Sequence, residues 1–157
     1  VADASKLPFK DGEFESVLCT EVLEHVKDPA LVIKEIGRVL KPQGQLILTT
    51  RFVYPLHDTP HDYWRFTKYG LQELFKDWQV VELRAETENF STIAVLLQRI
   101  NFQTILRVNK ITKLLLFLCV FILDRSNFMT LKEYGDIKRQ EKEVDIMPSG
   151  YYIVARK

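Results

Sequence analysis

An apolar strand followed by a capped amphipathic helix and a second apolar strand constrains the fold of this chain most. Residues 16–20 (SVLCT) form a nearly continuous apolar run, which is typical of a strand buried on both faces of a parallel sheet. Asp28 then suits a helix N-cap and Pro29 the first helical position. Residues 41–44 (KPQG) predict a turn before a second strand at 45–50. The pattern predicts a βαβ crossover and therefore an α/β fold.

Strand and helix signals keep alternating through the rest of the chain. After a long loop, Thr67 can cap a short helix, and alternation of apolar residues returns in a further strand. Helical spacing covers residues 93–123, and a mixed-charge segment at 132–143 predicts a solvated helix or loop. The predicted loop spans residues 51–66, and the later strands span 78–85 and 150–156.

Size, charge and cysteine content narrow the class of protein. A chain of 157 residues is about one domain, and its net charge of +1 gives no electrostatic support for nucleic-acid binding. Cys19 and Cys119 each lie in an apolar run, which predicts buried free thiols in a reducing cytoplasm. The chain starts at Val1 with a loop-like segment, so we expect part of the protein to lie upstream.

Polar residues follow the first strand where it ends. Glu21, Glu24 and His25 come directly after residues 16–20. In an open α/β sheet, residues beyond the carboxyl ends of the strands line the ligand crevice. The sequence therefore predicts that these side chains lie at a functional site.

Long stretches of the first half carry a family resemblance. Asp3-Ala4 with LPF, then FESVLCTEVLEHV, then DPALVIKEIGRVLKPQGQLILTT, is similar to the class I S-adenosylmethionine-dependent methyltransferases of the type 11 family, over residues 2 to about 75. The resemblance implies a seven-stranded Rossmann-like sheet with an antiparallel last strand, of which strands 4 to 7 are present and GYYIVARK is the last. Residues 1–157 would then be one partial methyltransferase domain, with the family's glycine-rich loop upstream.

The same resemblance implies roles for individual residues around S-adenosylmethionine. Asp3 would accept a hydrogen bond from the adenine amino group, and the Ala4 backbone N–H would meet the ring. Cys19 and Thr20 would lie at the strand end beside the sulfonium, with Glu21 facing the methyl group. The implied reaction is in-line methyl transfer, in which alignment of the reactants supplies much of the rate.

Three histidines in the loops after two successive strands are candidate catalytic bases. A base is needed when the methyl acceptor is a weakly acidic hydroxyl or a protonated amine, and His25, His57 and His61 are placed to supply one. Alternatively, each histidine is a solvated or locally hydrogen-bonded loop residue.

Two arrangements of acids and histidines suggest metal binding. Glu21, Glu24 and His25 resemble the Glu-x-x-Glu-His arrangement of ubiquinone-biosynthesis O-methyltransferases, where a divalent ion can sit beside the acceptor. The same spacing arises at any solvated helix start, and on that ground no metal is expected. The pairs His57-Asp58 and His61-Asp62 could also bind a metal by themselves, as in a metal-dependent hydrolase, although Pro60 argues against a regular helix between them.

The loop HDTPHDYWRF resembles an acceptor-binding lid. Tyr63 and Trp64 offer flat apolar surface, and Arg65 can hold an anion while Asp62 lies beside it. The alternative is structural: Trp64 packs the following helix onto the sheet, and Asp62 pairs with Arg65.

Residues 107–123 combine a basic flank with ten uninterrupted apolar residues, 114–123 (LLLFLCVFIL). Ten residues are too few to span a bilayer, so a buried core helix or an oligomer interface is preferred. The alternative is an interfacial helix with Arg107, Lys110 and Lys113 on anionic lipid. The region at 91–147 is longer than a crossover requires, which predicts a helical insertion that caps the acceptor pocket.

Together these features predict a cytoplasmic methyltransferase, with membrane association through residues 107–123 as the alternative to a purely cytoplasmic protein. It would use S-adenosylmethionine and act on a small-molecule, glycan or lipid-linked acceptor. The alternative from another class is a non-catalytic Rossmann-like fragment or pseudo-enzyme that binds a partner. A metal-dependent hydrolase is the third reading.

Overall fold

The computed structural model describes residues 2–107 and 109–157, which form two compact units. The sheet unit comprises residues 2–52, Leu56–Arg84 and Gly150–Lys157, and the helical unit comprises Val53–Pro55 and Ala85–Ser149 apart from residue 108. The strands are β1 Phe14–Thr20, β2 Leu40–Arg51, β3 Gln79–Ala85, β4 Glu133–Tyr134, β5 Lys142–Glu143 and β6 Gly150–Arg156. The helices are α1 Pro29–Val39, α2 Lys68–Leu74, α3 Asn89–Gln103 and α4 Lys110–Asp124, with short 3-10 helices at Leu23–His25 and Asn127–Met129.

The sheet has the order β1-β2-β6-β3 and a mixed direction. β1 pairs in parallel with β2, and β6 returns antiparallel to β2, so that the last strand of the chain lies between β2 and β3. This confirms the predicted α/β fold with an antiparallel final strand. Because β1 and β2 are parallel, their carboxyl ends meet at one edge of the sheet.

Local sequence features explain where helix α1 begins and which of its residues are buried. The Asp28 carboxylate accepts a hydrogen bond from the Leu31 N–H at 3.0 Å, and Pro29 opens the helix, as predicted. Val32 and Ile36 are among the α1 residues that are buried in the core. An apolar stripe of this kind packs a helix onto a sheet.

The predicted turn at residues 41–44 is wrong in form. α1 ends at Val39 and β2 begins at once with Leu40, which is buried and pairs with Phe14. The pairing register with β1 shifts here, from Phe14 opposite Leu40 to Ser16 opposite Gln45, and Gln43 has a left-handed φ of 64°. Gly44 follows because a Cβ there would lie 2.8 Å from the Lys41 carbonyl oxygen.

The core of the sheet unit lies where α1, α2 and the central strands meet. It is formed by side chains that are almost fully buried, among them Leu23, Val32, Leu46, Leu48, Leu71, Phe75 and Ile153. Trp78 packs against it, with its ring edge-on to Phe75 at 5.8 Å between ring centroids. Cys19 is buried here as predicted, and burial raises the pKa of its thiol to about 11.

The helical unit departs from the sequence-based expectation in three places. The helical spacing at 93–123 is divided between α3 and α4, because Asn109 starts a new helix by accepting from the Thr112 N–H at 2.9 Å. The mixed-charge segment forms the hairpin β4–β5 rather than a helix or a plain loop. Cys119 is exposed, so the expectation of a buried thiol is wrong for this residue.

Helix α4 exposes its apolar side chains. No residue of α4 is buried, and Ile111, Phe117 and Ile122 are each more than 60% exposed. The expectation that this helix lies in the core of the chain is therefore wrong.

No helix among residues 2–107 and 109–157 is both long enough and apolar enough to cross a membrane.

Candidate functional site at the carboxyl edge of the sheet

Glu21 follows β1 at the carboxyl edge and is anchored to β2. Its φ is 55°, its N–H donates to the Thr49 carbonyl at 3.0 Å, and its carboxylate accepts from the Thr49 hydroxyl at 2.7 Å. The other carboxylate oxygen pairs with the Arg51 guanidinium. The strand end is thus fixed by its neighbour, and the Glu21 side chain is directed at Thr49 and Arg51.

The turn that begins at Asp3 is held by hydrogen bonds from Ser5 to the Asp3 carboxylate. The Asp3 carboxylate accepts from the N–H and the hydroxyl of Ser5, at 2.8 and 2.7 Å, through the same oxygen. These bonds lower the pKa of Asp3, so the group stays an anionic acceptor. Ala4 packs against the core beside it. The turn therefore places a carboxylate acceptor next to the backbone of Ala4.

Glu24 is a buried acid in the short 3-10 helix Leu23–His25. The side chain is 0% exposed, and one carboxylate oxygen, Oε2, accepts from the Thr50 hydroxyl at 2.9 Å. The other, Oε1, is buried and has no hydrogen-bond partner within the described chain. The expectation that Glu24 belongs to a solvated helix start is therefore wrong. Burial raises the pKa of the Glu24 carboxyl.

Two of the three predicted histidines meet at Glu24. His25 Nε2 lies 3.1 Å from His57 Nε2, and His57 Nε2 lies 3.8 Å from Glu24 Oε1. His25 Nδ1 donates to the backbone carbonyl of His61 at 2.7 Å, and His57 Nδ1 lies 3.4 Å from Asp62 Oδ2. The His61 side chain lies elsewhere and contacts the Tyr63 hydroxyl at 3.0 Å. We call Glu24, His25 and His57 the Glu-His-His cluster.

Asp62 and Arg65 hold each other inside the loop. Arg65 donates two hydrogen bonds to the Asp62 carboxylate at 2.6 and 2.7 Å, and Asp62 also accepts from the His57 N–H at 3.0 Å. The Arg65 guanidinium lowers the pKa of Asp62 to about 2, with burial opposing it. The structural alternative for this pair, mutual pairing, is the arrangement observed.

This pairing also argues against the alternative that His57-Asp58 and His61-Asp62 bind a metal by themselves. Asp62 is engaged by Arg65, the His61 ring by Tyr63, and the Asp58 carboxylate is largely exposed. The four side chains therefore do not form one site.

Trp64 is hydrogen-bonded within the chain and also borders a groove. Its indole N–H donates to the Val26 carbonyl at 2.8 Å, and the loop is further tied down because the Glu24 carbonyl accepts from the N–H groups of Tyr63 and Trp64. Trp64 also lines an open groove of about 1190 Å³ with residues of α1 and α2. The groove is separate from the Glu-His-His cluster, since none of the three cluster residues lines it.

Sequence reasoning missed three partners at this edge. Thr49, Thr50 and Arg51 hold Glu21 and Glu24, yet they read only as the end of an apolar strand. The rule that pointed to Glu21, that site residues follow the carboxyl ends of parallel strands, applies equally to the end of β2 and could have found them.

Comparisons with known proteins bear on the same region. Residues 1–48 match the model of a methyltransferase domain. Over 39 residues, 25% of this chain, the sequence is 54% identical to a ubiquinone biosynthesis O-methyltransferase of Pseudomonas aeruginosa and 51% identical to one of Xanthomonas oryzae. The matches span 17% and 16% of those relatives' lengths, about a sixth.

The matched segment carries the Asp3 turn, β1, Glu21 and the Glu24-His25 pair. This segment is similar to the methyltransferase domains of the type 11 family. The Rossmann-like methyltransferase fold extends well beyond that segment. Phosphoethanolamine N-methyltransferase 2 of Haemonchus contortus, solved in complex with S-adenosyl-L-methionine, aligns with 99% of this chain and 36% of its own at a TM-score of 0.55 and 19% identity. A Galdieria sulphuraria structure, provisionally assigned as a sarcosine dimethylglycine methyltransferase, aligns with 99% of this chain and 57% of its own at a TM-score of 0.54 and 13% identity.

Proposed function

We propose that this methyltransferase chain takes part in transfer of a methyl group from S-adenosylmethionine to a small-molecule acceptor. The observation that carries the proposal is the carboxyl edge of β1 and β2, where Thr49 and Arg51 hold Glu21, whose backbone is in a left-handed conformation. Ligands bind at this edge in open α/β sheets. The family segment includes the same strand end.

The residues divide into a cofactor side and an acceptor side. Asp3 and Ala4 would hold the adenine, and Cys19, Thr20 and Glu21 would lie along the methionine portion. When bound, the cofactor supplies a sulfonium whose methyl group is already activated. The chain's task is then to align the acceptor and exclude water, which can lower the barrier by roughly 7 to 11 kcal/mol.

On the acceptor side, the supported roles differ from residue to residue. Tyr63 and Trp64 are each about 40% exposed and can contact an acceptor. Asp62 and Arg65 hold each other and position the loop. His25 and His57 are the proposed groups that meet the acceptor's reacting atom, while His61 supports His25 through its backbone carbonyl. A glycan or a lipid-linked molecule is within the proposed range of acceptors.

Calorimetric titration of the chain with S-adenosylmethionine is the test. We expect measurable binding, and we expect Asp3→Ala to weaken it about tenfold because a charge-assisted hydrogen bond is lost. Asp77→Ala, which removes an exposed carboxylate from a turn after α2, is the matched control and should bind normally. Absence of binding at millimolar cofactor would contradict the proposal and favour the non-catalytic alternative.

Peripheral membrane contact through residues 107–123 is a second part of the proposal. Support comes from α4, whose apolar residues are exposed next to the exposed Arg107, Lys110 and Lys113. Apolar surface beside basic residues suits an anionic bilayer, where each basic residue contributes about 1 kcal/mol. The cytoplasmic location is part of the same proposal.

We expect the chain to sediment with vesicles containing phosphatidylserine at low salt. Replacing all three basic residues by glutamine should return most of it to the supernatant, whereas the triple change Lys132→Gln, Lys138→Gln and Lys142→Gln, in the same unit, should not. Wild-type protein that stays in the supernatant would count against membrane contact and favour an oligomer interface on α4, visible by analytical ultracentrifugation.

A further inference from the structure

We infer that the groove between α1 and α2 docks an amphipathic helix of a partner protein, whose apolar face is flanked by acidic residues on the side that meets α1. The groove has a volume of about 1190 Å³. The described residues that line it all belong to the sheet unit. The inference concerns protein binding alone and does not rest on methyl transfer.

The shape of the groove follows from one face of α1. Its α1 wall is made by successive pairs of residues at 29–30, 33–34 and 37–38, which recur about every four positions, as residues on one helix face do. At a rise of about 1.5 Å per residue, these pairs extend along about 14 Å of the helix. The opposite wall comes from α2 and the turn after it. A groove of this length between two helices fits about three turns of a third helix.

The lining of the groove is largely apolar and includes both tryptophans of the chain. The Trp78 ring packs against α1 at Gly37, where a Cβ would lie 3.2 Å from the ring. Trp64 also lines the groove and is 44% exposed. Further apolar lining comes from Ile33, Phe66 and Leu74. Tryptophans are among the side chains that most often dominate the binding energy of protein interfaces, so this lining suits a protein partner.

The α1 side of the groove carries positive charge that has no counter-charge nearby. Lys27 and Lys34 are exposed there, and within residues 2–107 and 109–157 neither forms an ion pair. The carboxylate of Asp28 caps α1, and Arg38 is already paired with carboxylates of its own. Lys27 and Lys34 are therefore available to acidic residues of a partner.

The α2 side of the groove differs in charge. Glu73 pairs there with Lys76 at 2.7 Å, and the exposed Asp77 follows, which leaves this side without excess positive charge. A helix lying in the groove meets cations along one flank only. Electrostatic complementarity of this kind selects the partner and fixes its register, so the acidic flank of the partner helix faces α1.

Two other occupants fit the groove less well. The exposed helix α4 of a second copy carries Lys110 and Lys113 beside its apolar residues, and these would oppose Lys27 and Lys34. A small molecule is disfavoured because small-molecule pockets typically have volumes of roughly 300 to 1000 Å³. The observations therefore favour a separate protein with an acidic amphipathic helix.

Binding of a synthetic peptide to the whole chain tests the inference. The probe is a helical peptide of about fifteen residues with leucine at positions i, i+3, i+4 and i+7 and glutamate along one flank. The fluorescence of Trp64 and Trp78 reports on the groove, and calorimetry measures the affinity. We expect saturable binding below millimolar peptide, a change in tryptophan emission, and weaker binding as salt is raised. A scrambled peptide of the same composition, which has no apolar face, should not bind.

Reversing the charge on the α1 side separates docking in the groove from general adhesion to apolar surface. Lys27→Glu combined with Lys34→Glu should weaken binding of the acidic peptide about tenfold, because attraction becomes repulsion. A second peptide with lysine in place of glutamate should bind this variant better than it binds the wild type. Lys132→Glu combined with Lys138→Glu, the same change in the helical unit, is the matched control and should bind like the wild type.

Several results would overturn the inference. These are an acidic peptide that does not bind below millimolar concentration, a scrambled peptide that binds equally well, and unchanged binding by the variant with both Lys27→Glu and Lys34→Glu. Circular dichroism and thermal melting establish that each variant is folded. Tryptophan emission that changes with the concentration of the chain alone, with self-association seen by analytical ultracentrifugation, would assign the groove to a second copy instead. Failure of methyl transfer would leave all of these readouts unchanged.

Discussion

Replacing Phe75 by alanine is expected to lower the free energy of unfolding of the sheet unit by about 3 to 5 kcal/mol. Phe75 is 1% exposed, ends α2, and meets Trp78 edge-on while facing the central core. Deleting the ring removes its burial and leaves a cavity that the packed neighbours fill only in part. The free energy of unfolding of a domain of this size is roughly 5 to 15 kcal/mol, so the substitution should remove a large part of it.

Urea unfolding followed by tryptophan fluorescence measures this directly, because Trp64 and Trp78 are the only tryptophans and both belong to the sheet unit. The control is Phe128→Ala, the same chemical change at a side chain that is 81% exposed, which should leave the midpoint nearly unchanged. Equal effects of the two substitutions would mean that Phe75 is not a core residue.

Replacing Arg65 by glutamine is expected to destabilise the sheet unit by about 2 to 4 kcal/mol, somewhat below the range for a fully buried ion pair. The Asp62 side chain is 1% exposed and depends on two hydrogen bonds from Arg65, which is itself 25% exposed. Without the guanidinium, the buried carboxylate keeps its contacts with His57 but loses two hydrogen bonds and its counter-charge.

The same urea experiment applies, with Lys76→Gln as the control. Lys76 and Glu73 form an exposed pair on the surface of α2 and the following turn, and exposed pairs contribute little. If Arg65→Gln were as mild as Lys76→Gln, the Asp62–Arg65 pair would be a solvated contact rather than a structural one.

Local signals in the sequence were sufficient for much of the fold. The Asp28 cap, the Pro29 start and the apolar stripe of α1 are short-range features, and each is observed as predicted. The family resemblance added what local signals do not contain, namely that the last strand, β6, is antiparallel; its place beside β2 came from the structure. Local signals failed at α4, where ten consecutive apolar residues suggested the core and none of them is buried.

The candidate site also combines features that the sequence predicts with features that only the structure shows. The sequence by itself determined that Glu21, Glu24 and His25 follow a strand end, because that placement depends only on the order of residues along the chain. Only the tertiary structure decided that Glu24 is buried under Thr50, that Glu21 turns to Arg51, and that His57 reaches His25 across a gap of 32 residues. These contacts join residues that are far apart in the sequence, because β2 and the loop after it pack beside the end of β1. A local sequence pattern does not contain that information.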